Sequence, residues 1–282
     1  MNYYIVIPCY NEEKFIALTL KSLAEQTVLP KKIVIVNDNS TDKTEEIINN
    51  FAKKHSWITV VNTTSNAIHL PGSKVIQAFH KGFEILDTDY DIIVKLDADL
   101  ILPHNYFETI ISHFKKDSKT GMVGGFAYIE KNGNWILENL TDKDHIRGAF
   151  KAYRKECFLQ IGNLKPAMGW DTVDELLCKF YDWKVITDKN LKVKHLKPTG
   201  ANYDKNARYK QGEAFYTLGY GFIITAIASV KLALMKKKPL LFFDYIRGFW
   251  KAKMAKTPLL VTNEQAKFIR KYRLQKMKEK LF

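Results

Sequence analysis

Residues Ile92 to Asp99 read Ile-Ile-Val-Lys-Leu-Asp-Ala-Asp, and this segment is the most informative one about the fold. The mostly apolar run Ile92–Leu96 predicts a buried strand, and two carboxylates, Asp97 and Asp99, follow where that strand ends. In open α/β sheets, ligands bind beyond the carboxyl ends of the strands. Mg²⁺ and Mn²⁺ prefer oxygen ligands and often combine one or two carboxylates with substrate phosphates. The pattern favours a metal site, although a solvated turn with two acids would look the same.

Three further apolar, β-branched runs precede this strand, and segments of helical length separate them. The predicted strands are Tyr3–Ile7, Ile33–Val36, Ile58–Val61 and Ile92–Leu96, and the predicted helices are Glu12–Gln26, Asp42–Lys54 and Ser73–Leu86. Strands that alternate with helices predict βαβ units and a mostly parallel sheet with helices on both faces. The first half of the chain is therefore predicted to be α/β and Rossmann-like.

The pattern becomes less regular after residue 117 and purely helical near the end. We predict a strand at Gly121–Ile129, a hairpin partner at Trp135–Leu137, a helix at Asp171–Tyr181, and short strands at Lys184–Thr187 and Leu191–His195. This organisation divides the chain into an α/β domain, residues 1–204 with halves 1–100 and 101–204, and a helical region, residues 205–282.

The charge is concentrated at the carboxyl end of the chain. The 282 residues carry a net charge of +14, and residues 236–282 hold fourteen lysines and arginines against three acids. Such a basic region predicts an anionic partner, and we favour a membrane surface over nucleic acid. The three cysteines are odd in number and lack Cys-x-x-Cys spacing, which argues against a disulfide framework and indicates a reducing compartment.

Two segments of the C-terminal region bear on membrane association. Phe215–Leu234 has the minimum length of a membrane span, but Gly219, Gly221 and Lys231 interrupt it, so we expect a buried or interfacial helix. Leu240–Lys256 mixes aromatic with basic side chains, which suits a helix lying in the plane of a membrane. An ordinary amphipathic helix packed on the domain fits this second segment equally well.

Polar clusters also follow the first and second predicted strands. Ile7–Glu13 reads Ile-Pro-Cys-Tyr-Asn-Glu-Glu, and Val36–Asp42 reads Val-Asn-Asp-Asn-Ser-Thr-Asp. Both strand ends lie on the sheet edge where Asp97 and Asp99 emerge, so three clusters are expected to converge on one cleft. Each cluster alone would also fit a turn followed by a helix cap.

Four segments resemble the motifs of glycosyltransferase family 2, whose members have the GT-A fold. They are Ile7–Glu13, Val36–Asp42, Leu96–Leu100 and Gly169–Trp183. The resemblance covers roughly residues 1–200 in the expected order. Two departures stand out. The family's Asp-Asp-Gly-Ser appears here as Asn37-Asp38-Asn39-Ser40, and its Glu-Asp pair before the acceptor helix appears as Trp170-Asp171.

The resemblance implies a role for each matching residue. The nucleoside would contact Pro8, Tyr10, Asn11, Glu12 and Asp38, with Asp38 on the base and Asp97 near the ribose and metal. Mn²⁺ or Mg²⁺ would be bound by Asp99, Asp97 and His195 and would bridge the diphosphate. A lone histidine such as His195 is otherwise more often structural. The other six histidines, His55, His69, His80, His104, His113 and His145, are predicted to lie at the surface or in loops.

The acceptor side is implied by the helix that contains Asp171. One of Asp171, Asp174 and Glu175 would deprotonate the acceptor hydroxyl, and the sequence leaves the choice open. We expect the base to have a raised pKa, through burial or a neighbouring acid. Trp170 would stack on an acceptor sugar, although it fits a hydrophobic core equally well. Separately, Arg208 suits a contact with the diphosphate, although a solvated helix face fits it too.

We therefore predict a metal-dependent, inverting glycosyltransferase of the hexosyltransferase type. It would move a sugar from a nucleoside-diphosphate sugar, by preference a UDP-sugar, to a sugar or lipid-linked acceptor in bacterial surface polysaccharide or glycolipid synthesis. We expect it in the cytoplasm, peripheral on the inner face of the membrane through its basic helices.

Two alternatives remain. A nucleotidyltransferase would need a glycine-rich phosphate loop, whereas Cys9–Glu13 is acidic and lacks glycine. A non-catalytic nucleotide- or anionic-surface-binding protein that uses the basic tail would leave the converging acids unexplained.

Overall fold

The computed structural model describes residues 1–64, 72–138, 144–197 and 209–279. The chain forms two compact units, one of Met1–Pro166 with Trp170–Thr199 and one of Ala167–Gly169 with Gly200–Phe282. The predicted division between residues 204 and 205 lies outside the described residues, so that exact boundary stays a prediction.

The first unit is built on a nine-stranded sheet. Its strands are β1 (Tyr3–Cys9), β2 (Lys32–Asp38), β3 (Ile58–Thr63), β4 (Ile92–Leu96), β5 (Leu100–Ile101), β6 (Thr120–Lys131), β7 (Asn134–Leu137), β8 (Phe150–Arg154) and β9 (Lys184–His195). Their spatial order is β3-β2-β1-β4-β8-β6-β9-β5, and β7 pairs with β6. The helices of this unit are α1 (Ile16–Ala24), α2 (Thr44–Ala52), α3 (Ser73–Glu84), α4 (Tyr106–Lys116), α5 (Lys155–Gln160) and α6 (Trp170–Phe180).

The first four strands are parallel, as the alternating pattern predicts. β1 lies between β2 and β4, and β3 pairs with the outer side of β2. The strands β1 and β4 are buried along their whole length, and fully burying one Ile or Val side chain contributes about 1.5–3 kcal/mol. Burial on both faces explains why these strands read as continuous apolar runs. The prediction of an α/β fold is confirmed.

The second half of the sheet is mixed, which differs from a mostly parallel arrangement. β8 is antiparallel to both β4 and β6, although β9 runs parallel to β6. The sequence analysis missed β8 because Phe150–Arg154 is short and contains two basic residues. The two short strands predicted near residue 190 form the single strand β9, whose pairing with β6 shifts register between Gly124 and Phe126. The predicted hairpin is confirmed by the pairing of β6 with β7.

The helix α3 approaches the sheet closely at one glycine. A Cβ atom on Gly82 would lie 2.6 Å from Val6 Cγ1 and 2.7 Å from Val36 Cγ2. These distances are shorter than any ordinary carbon contact, so a side chain at this position would push α3 away from β1 and β2. The glycine therefore sets the depth at which α3 packs on the strands that carry the site.

The second unit is helical, as predicted. Its helices are α7 (Lys210–Thr217), α8 (Gly221–Met235), α9 (Leu241–Met254) and α10 (Asn263–Glu279). The apolar stretch Phe215–Leu234 is divided between α7 and α8, because Gly219 and Gly221 adopt φ values of +73° and +72°. Such left-handed backbone is easy for glycine and ends a helix. Among the described residues, no helix is long and apolar enough to cross a membrane.

Candidate active site

Three parallel strands deliver their polar ends to one edge of the sheet. β1 ends at Cys9, β2 at Asp38 and β4 at Leu96. The register aligns Cys9 with Asn37, so the loops after β1 and β2 start at the same level. Asp97 and Asp99 follow β4 directly. The convergence expected from the sequence is therefore present.

The loop after β1 is held against the loop after β2 and the start of α2 by hydrogen bonds from backbone N–H groups to side-chain oxygens. The Asn11 N–H donates to Ser40 Oγ at 3.0 Å, and the Thr41 N–H donates to Asn11 Oδ1 at 2.8 Å. The Glu12 N–H donates to Thr44 Oγ1 at 2.7 Å. Asn11 has a φ of +53°, a left-handed conformation that asparagine tolerates better than most residues. Asn11 therefore shapes the loop pair with its own side chain.

The other predicted nucleoside residues differ in accessibility. Pro8 is buried within β1, and Asp38 is buried at the end of β2. Tyr10 is 58% exposed, so its ring is available to a ligand. Burial raises the pKa of Glu12, although Lys197 Nζ, which donates to Glu12 Oε1 at 2.6 Å, opposes that rise. Arg208 lies outside the described residues.

Asp97 is anchored on both its backbone and its side chain. Its N–H donates to the Ala149 carbonyl at 2.8 Å, and the ammonium of Lys95 donates to its carboxylate. Lys95 is 1% exposed, although it lies in the middle of a buried strand. Because a buried ammonium needs a partner, the contact with Lys95 holds the Asp97 side chain in place.

Asp99 and His195 are brought together by strand pairing. Leu100 in β5 pairs with His195 in β9, and the Leu196 N–H donates to the Asp99 carbonyl at 2.9 Å. His195 Nε2 lies 3.5 Å from Asp99 Oδ2, and His195 Nδ1 lies 3.8 Å from Glu138 Oε2. Burial alone would lower the pKa of His195, but the carboxylates of Asp99 and Glu138 raise it to about 9.

The pair of Asp99 and His195 fits a divalent cation as a partial site. Neighbouring ligands of an octahedral ion with bonds of about 2.1 Å lie about 3 Å apart, close to the 3.5 Å observed between Asp99 Oδ2 and His195 Nε2. Carboxylate oxygen and imidazole nitrogen both suit Mn²⁺. The described residues contain no cluster of three or more ligating side chains. A metal here would therefore take its remaining ligands from the diphosphate and water, as Mg²⁺ commonly does.

Three acids near the start of α6, Asp171, Asp174 and Glu175, occupy different environments. The side chain of Asp171 is 36% exposed, whereas those of Asp174 and Glu175 are 2% and 6% exposed. Lys151 Nζ lies 2.9 and 3.0 Å from the two carboxylate oxygens of Asp174 and 3.1 Å from Glu175 Oε1. Tyr153 also donates to Asp174, at 2.6 Å. Asp174 and Glu175 are therefore committed to a buried ion cluster.

His145 joins this cluster from the loop before β8, so the prediction that it lies at the surface or in a loop is confirmed. Its contacts were not predicted: His145 Nδ1 lies 3.1 Å from Glu175 Oε1, and Nε2 lies 3.8 Å from Asp171 Oδ2. Burial would lower the pKa of His145, but hydrogen bonds with Asp171 and Glu175 raise it to about 9. In turn, burial would raise the pKa of Asp171, but His145 and Lys151 lower it to about 2. This differs from the raised pKa expected of a general base.

Trp170 is 6% exposed, and its ring lies beside two buried ammonium groups. Lys95 Nζ is 5.2 Å and Lys151 Nζ 5.8 Å from the ring centroid. A Cβ on Gly148 would lie 2.7 Å from Trp170 Cζ2, so the ring packs directly on that glycine. These contacts explain the position of the Trp170 ring without a bound sugar. Stacking of Trp170 on an acceptor sugar stays a prediction, and the geometry does not support it.

The sequence did not predict that five further charged or titratable residues belong to this region. They are Lys95, Glu138, His145, Lys151 and Lys197. A usable signal existed for Lys95, because a lysine inside an apolar strand must find a buried partner. The contacts of the others depend on residues distant in sequence, as between Lys197 and Glu12.

The comparisons with known proteins agree with this fold. Residues 4–166 match the profile of "Glycosyl transferase family 2", which is more than half of the chain. The fold is that of the GT-A glycosyltransferases. The chain belongs to glycosyltransferase family 2, as the resemblance of its motifs predicted.

Curated relatives match part of the chain. The poly-β-1,6-N-acetyl-D-glucosamine synthase of Staphylococcus epidermidis is 32% identical over 186 residues, which is 59% of this chain and 41% of that protein. The probable glycosyltransferase YdaM of Bacillus subtilis is 34% identical over 125 residues, which is 43% of this chain and 28% of that protein. The chain therefore spans about two fifths or less of the length of these relatives.

Solved structures share the fold at low sequence identity. The mannosyltransferase PcManGT from Pyrobaculum calidifontis, in complex with GDP-Man and Mn²⁺, has a TM-score of 0.60 at 16% identity and covers 98% of this chain and 80% of its own. S. aureus TarS 1–349, in complex with UDP-GlcNAc, has a TM-score of 0.58 at 19% identity and covers 82% of this chain and 67% of its own. At these identities the likeness extends to the fold alone.

Proposed function

We propose that this chain transfers a sugar, with inversion, from a nucleoside-diphosphate sugar to a hydroxyl acceptor in the synthesis of a bacterial surface polysaccharide or glycolipid. The observation that carries the proposal is the convergence of Asp38, Asp97 and Asp99 on one sheet edge beside His195, in a chain of glycosyltransferase family 2. Three carboxylates near one another would repel a diphosphate unless a cation intervenes. The pattern therefore favours a nucleotide that arrives with a metal.

The donor we favour is UDP-N-acetylglucosamine. One curated relative is named as a synthase of poly-β-1,6-N-acetyl-D-glucosamine, and one structural neighbour was solved with UDP-GlcNAc. Another neighbour was solved with GDP-Man, so a guanine nucleotide is the natural comparison in a binding screen. In this proposal Asp38 accepts a hydrogen bond from the base, and the exposed ring of Tyr10 covers the nucleoside.

Mn²⁺ or Mg²⁺ is the proposed cofactor, bound by Asp99 and His195. Two structural neighbours were solved with Mn²⁺, which supports a divalent ion. When bound, such an ion stabilises the negative charge that develops on the departing nucleoside diphosphate. Asp97 is assigned to the ribose side of the site, because Lys95 already neutralises part of its charge.

Asp171 is the general base in this proposal, although His145 and Lys151 lower its pKa to about 2, so the acceptor proton passes to it together with the bond changes at the anomeric carbon and not before them. It is the most exposed of the three acids, and Asp174 and Glu175 are hydrogen-bonded to Lys151 inside the protein. In the transfer step, the acceptor oxygen forms a bond to the anomeric carbon while the bond from that carbon to the diphosphate oxygen breaks. The acceptor proton passes to Asp171 Oδ, and the electron pair leaves with the nucleoside diphosphate.

The experiment is a transfer assay with UDP-N-acetylglucosamine, Mn²⁺ and N-acetylglucosamine oligomers as acceptors. The expected result is release of UDP together with an elongated oligomer whose new linkage has the anomeric configuration opposite to that of the donor, read by NMR. GDP-mannose serves as the comparison donor. Retention of configuration would overturn the inverting mechanism.

The competing function is a non-catalytic protein that binds nucleotides or anionic surfaces through the basic tail. The composition of this region supports the competing function, since residues 221–256 contain eight lysines and arginines and a single acid. Binding of UDP without turnover of any donor or acceptor would favour this reading. The predicted peripheral location on the inner face of a membrane also stays a proposal.

A further inference from the structure

The helix α8 presents an apolar stripe to the outside. Ile223, Ile227, Val230 and Leu234 follow the i, i+4, i+7, i+11 spacing of one helix face, and their exposures are 65%, 45%, 47% and 70%. The buried positions of α8 are mainly small or polar, namely Ile224, Thr225, Ser229 and Ala233. An ordinary surface helix shows the reverse arrangement.

The helix α9 repeats this arrangement. Phe243, Arg247, Trp250 and Met254 have the same i, i+4, i+7, i+11 spacing, and the three apolar members are 67%, 42% and 82% exposed. The buried face of α9 is formed by Tyr245, Gly248, Phe249 and Ala252. A Cβ on Gly248 would lie 2.1 Å from the Tyr209 carbonyl oxygen. The inner face of α9 is therefore fixed by close packing, and its outer stripe cannot rotate inward.

The two stripes, which we call the docking face, meet at Phe222. This residue is 49% exposed, and its ring lies 6.3 Å from Phe249 and 5.8 Å from Trp250 between centroids. Contiguous exposed apolar surface of this kind marks an interaction site. We therefore expect the exposed apolar side chains of α8 and α9 to bind a partner.

The charges around the docking face identify the chemistry of that partner. Exposed lysines flank both stripes: Lys231, Lys236, Lys237, Lys238, Lys251, Lys253 and Lys256. Lys253 Nζ lies 4.6 Å from the centroid of the Trp250 ring. Asp244 is the only acid of the sequence between residues 221 and 256. A second copy of the same face would bring like charges together, whereas anionic lipid headgroups would neutralise them.

We propose that α8 and α9 dock in the plane of an anionic membrane, with the two apolar stripes inserted between the headgroups. Apolar side chains on one face with lysines beside them are what an interfacial helix requires. Trp250 and Phe243 would lie at headgroup level, where amphipathic aromatic rings are favoured. Membrane docking of α8 and α9 does not depend on the proposed sugar transfer.

The test is sedimentation of the full chain with vesicles of phosphatidylcholine containing 30% phosphatidylglycerol, and with pure phosphatidylcholine as reference. The variant is Leu234→Glu with Met254→Glu, one change in each stripe at its most exposed position. The matched control is Ile85→Glu with Leu159→Glu, two positions of the first unit that are 51% and 53% exposed. Both double variants change the net charge equally, so they separate the apolar stripes from overall charge.

The expected result is binding to anionic vesicles by the wild type and the control, and binding roughly tenfold weaker or more for the stripe variant. Equal binding by the stripe variant and the control would overturn the proposal, as would a wild type that ignores anionic vesicles. A dimer in solution that the stripe variant converts to a monomer, without vesicle binding, would assign the face to a second copy instead. UDP binding, measured on the same preparations, reports the nucleotide site separately and checks that each variant is folded.

Discussion

Lys151 Nζ lies 2.9 Å and 3.0 Å from the two carboxylate oxygens of Asp174, and neither side chain is more than 2% exposed. Three acids near the start of α6 look alike in sequence, and this contact separates them. An acid bound to a buried ammonium stabilises the fold, while the neighbouring Asp171 stays partly exposed. The ion pair therefore supports the proposal that Asp171, and not Asp174, is the base.

The first prediction concerns Asp171→Asn. Removing the proposed base should lower kcat by about 10²- to 10⁴-fold and leave the affinity for UDP unchanged. Steady-state kinetics together with nucleotide titration measures both quantities. Asp117→Asn, at an acid paired with the exposed Lys184, is the control and should leave kcat unchanged. Full activity of Asp171→Asn would move the base to another residue.

The second prediction concerns the stability of the buried cluster. Lys151→Met leaves Asp174 and Glu175 without their shared cation, and breaking a buried pair costs about 3–5 kcal/mol. Lys184→Met, at a pair that is largely exposed, should cost no more than about 1 kcal/mol. Urea unfolding of both variants gives the comparison. Similar losses of unfolding free energy in the two variants would contradict the role given to Lys151.

The third prediction is a pH dependence at His145. Its pKa is raised from 6.5 to about 9 in the folded protein, so protonated His145 stabilises the fold. This stabilisation is fully present below about pH 6.5 and is lost as the pH rises through 9. The groups that face His145 are Asp171, Glu175 and Lys151. The pKa values of the two acids are lowered, and the pKa of Lys151 is raised. None of these three groups therefore titrates between pH 6 and 10.

The measurement is the free energy of unfolding of the wild type and of His145→Gln from pH 6 to 10. The difference should be on the order of 3 kcal/mol at pH 6 and should shrink towards pH 10. Using the difference removes the contribution of His195, which both proteins share. A difference that is constant with pH would show that the imidazolium charge contributes nothing.

The sequence predicted those parts of the site that depend on local pattern. Asp38, Asp97 and Asp99 follow apolar runs, and parallel strands bring their ends to one edge whatever the rest of the chain does. His195 could be placed only through the resemblance, because its contact with Asp99 arises from the pairing of β5 with β9.

The cluster around α6 could not be predicted in the same way. Lys151 reaches Asp174 because β8 inserts antiparallel beside β4, and a five-residue strand with two basic residues carries little periodic signal. The stripe of α8 shows a further limit: helical spacing identifies an apolar face but does not say whether that face points inward. Only the burial of Thr225 and Ser229 on the opposite face of α8 shows that the apolar face points outward.

Nucleotide titration with and without metal tests the proposed site most directly. UDP should bind to the wild type in Mn²⁺, and both EDTA and the change Asp99→Asn should weaken that binding by roughly tenfold or more, since each removes a contact that links Asp99 to the diphosphate. Asp117→Asn should bind as the wild type does. UDP binding that is equally strong in EDTA and in Asp99→Asn would contradict a metal-dependent nucleotide site at the end of β4.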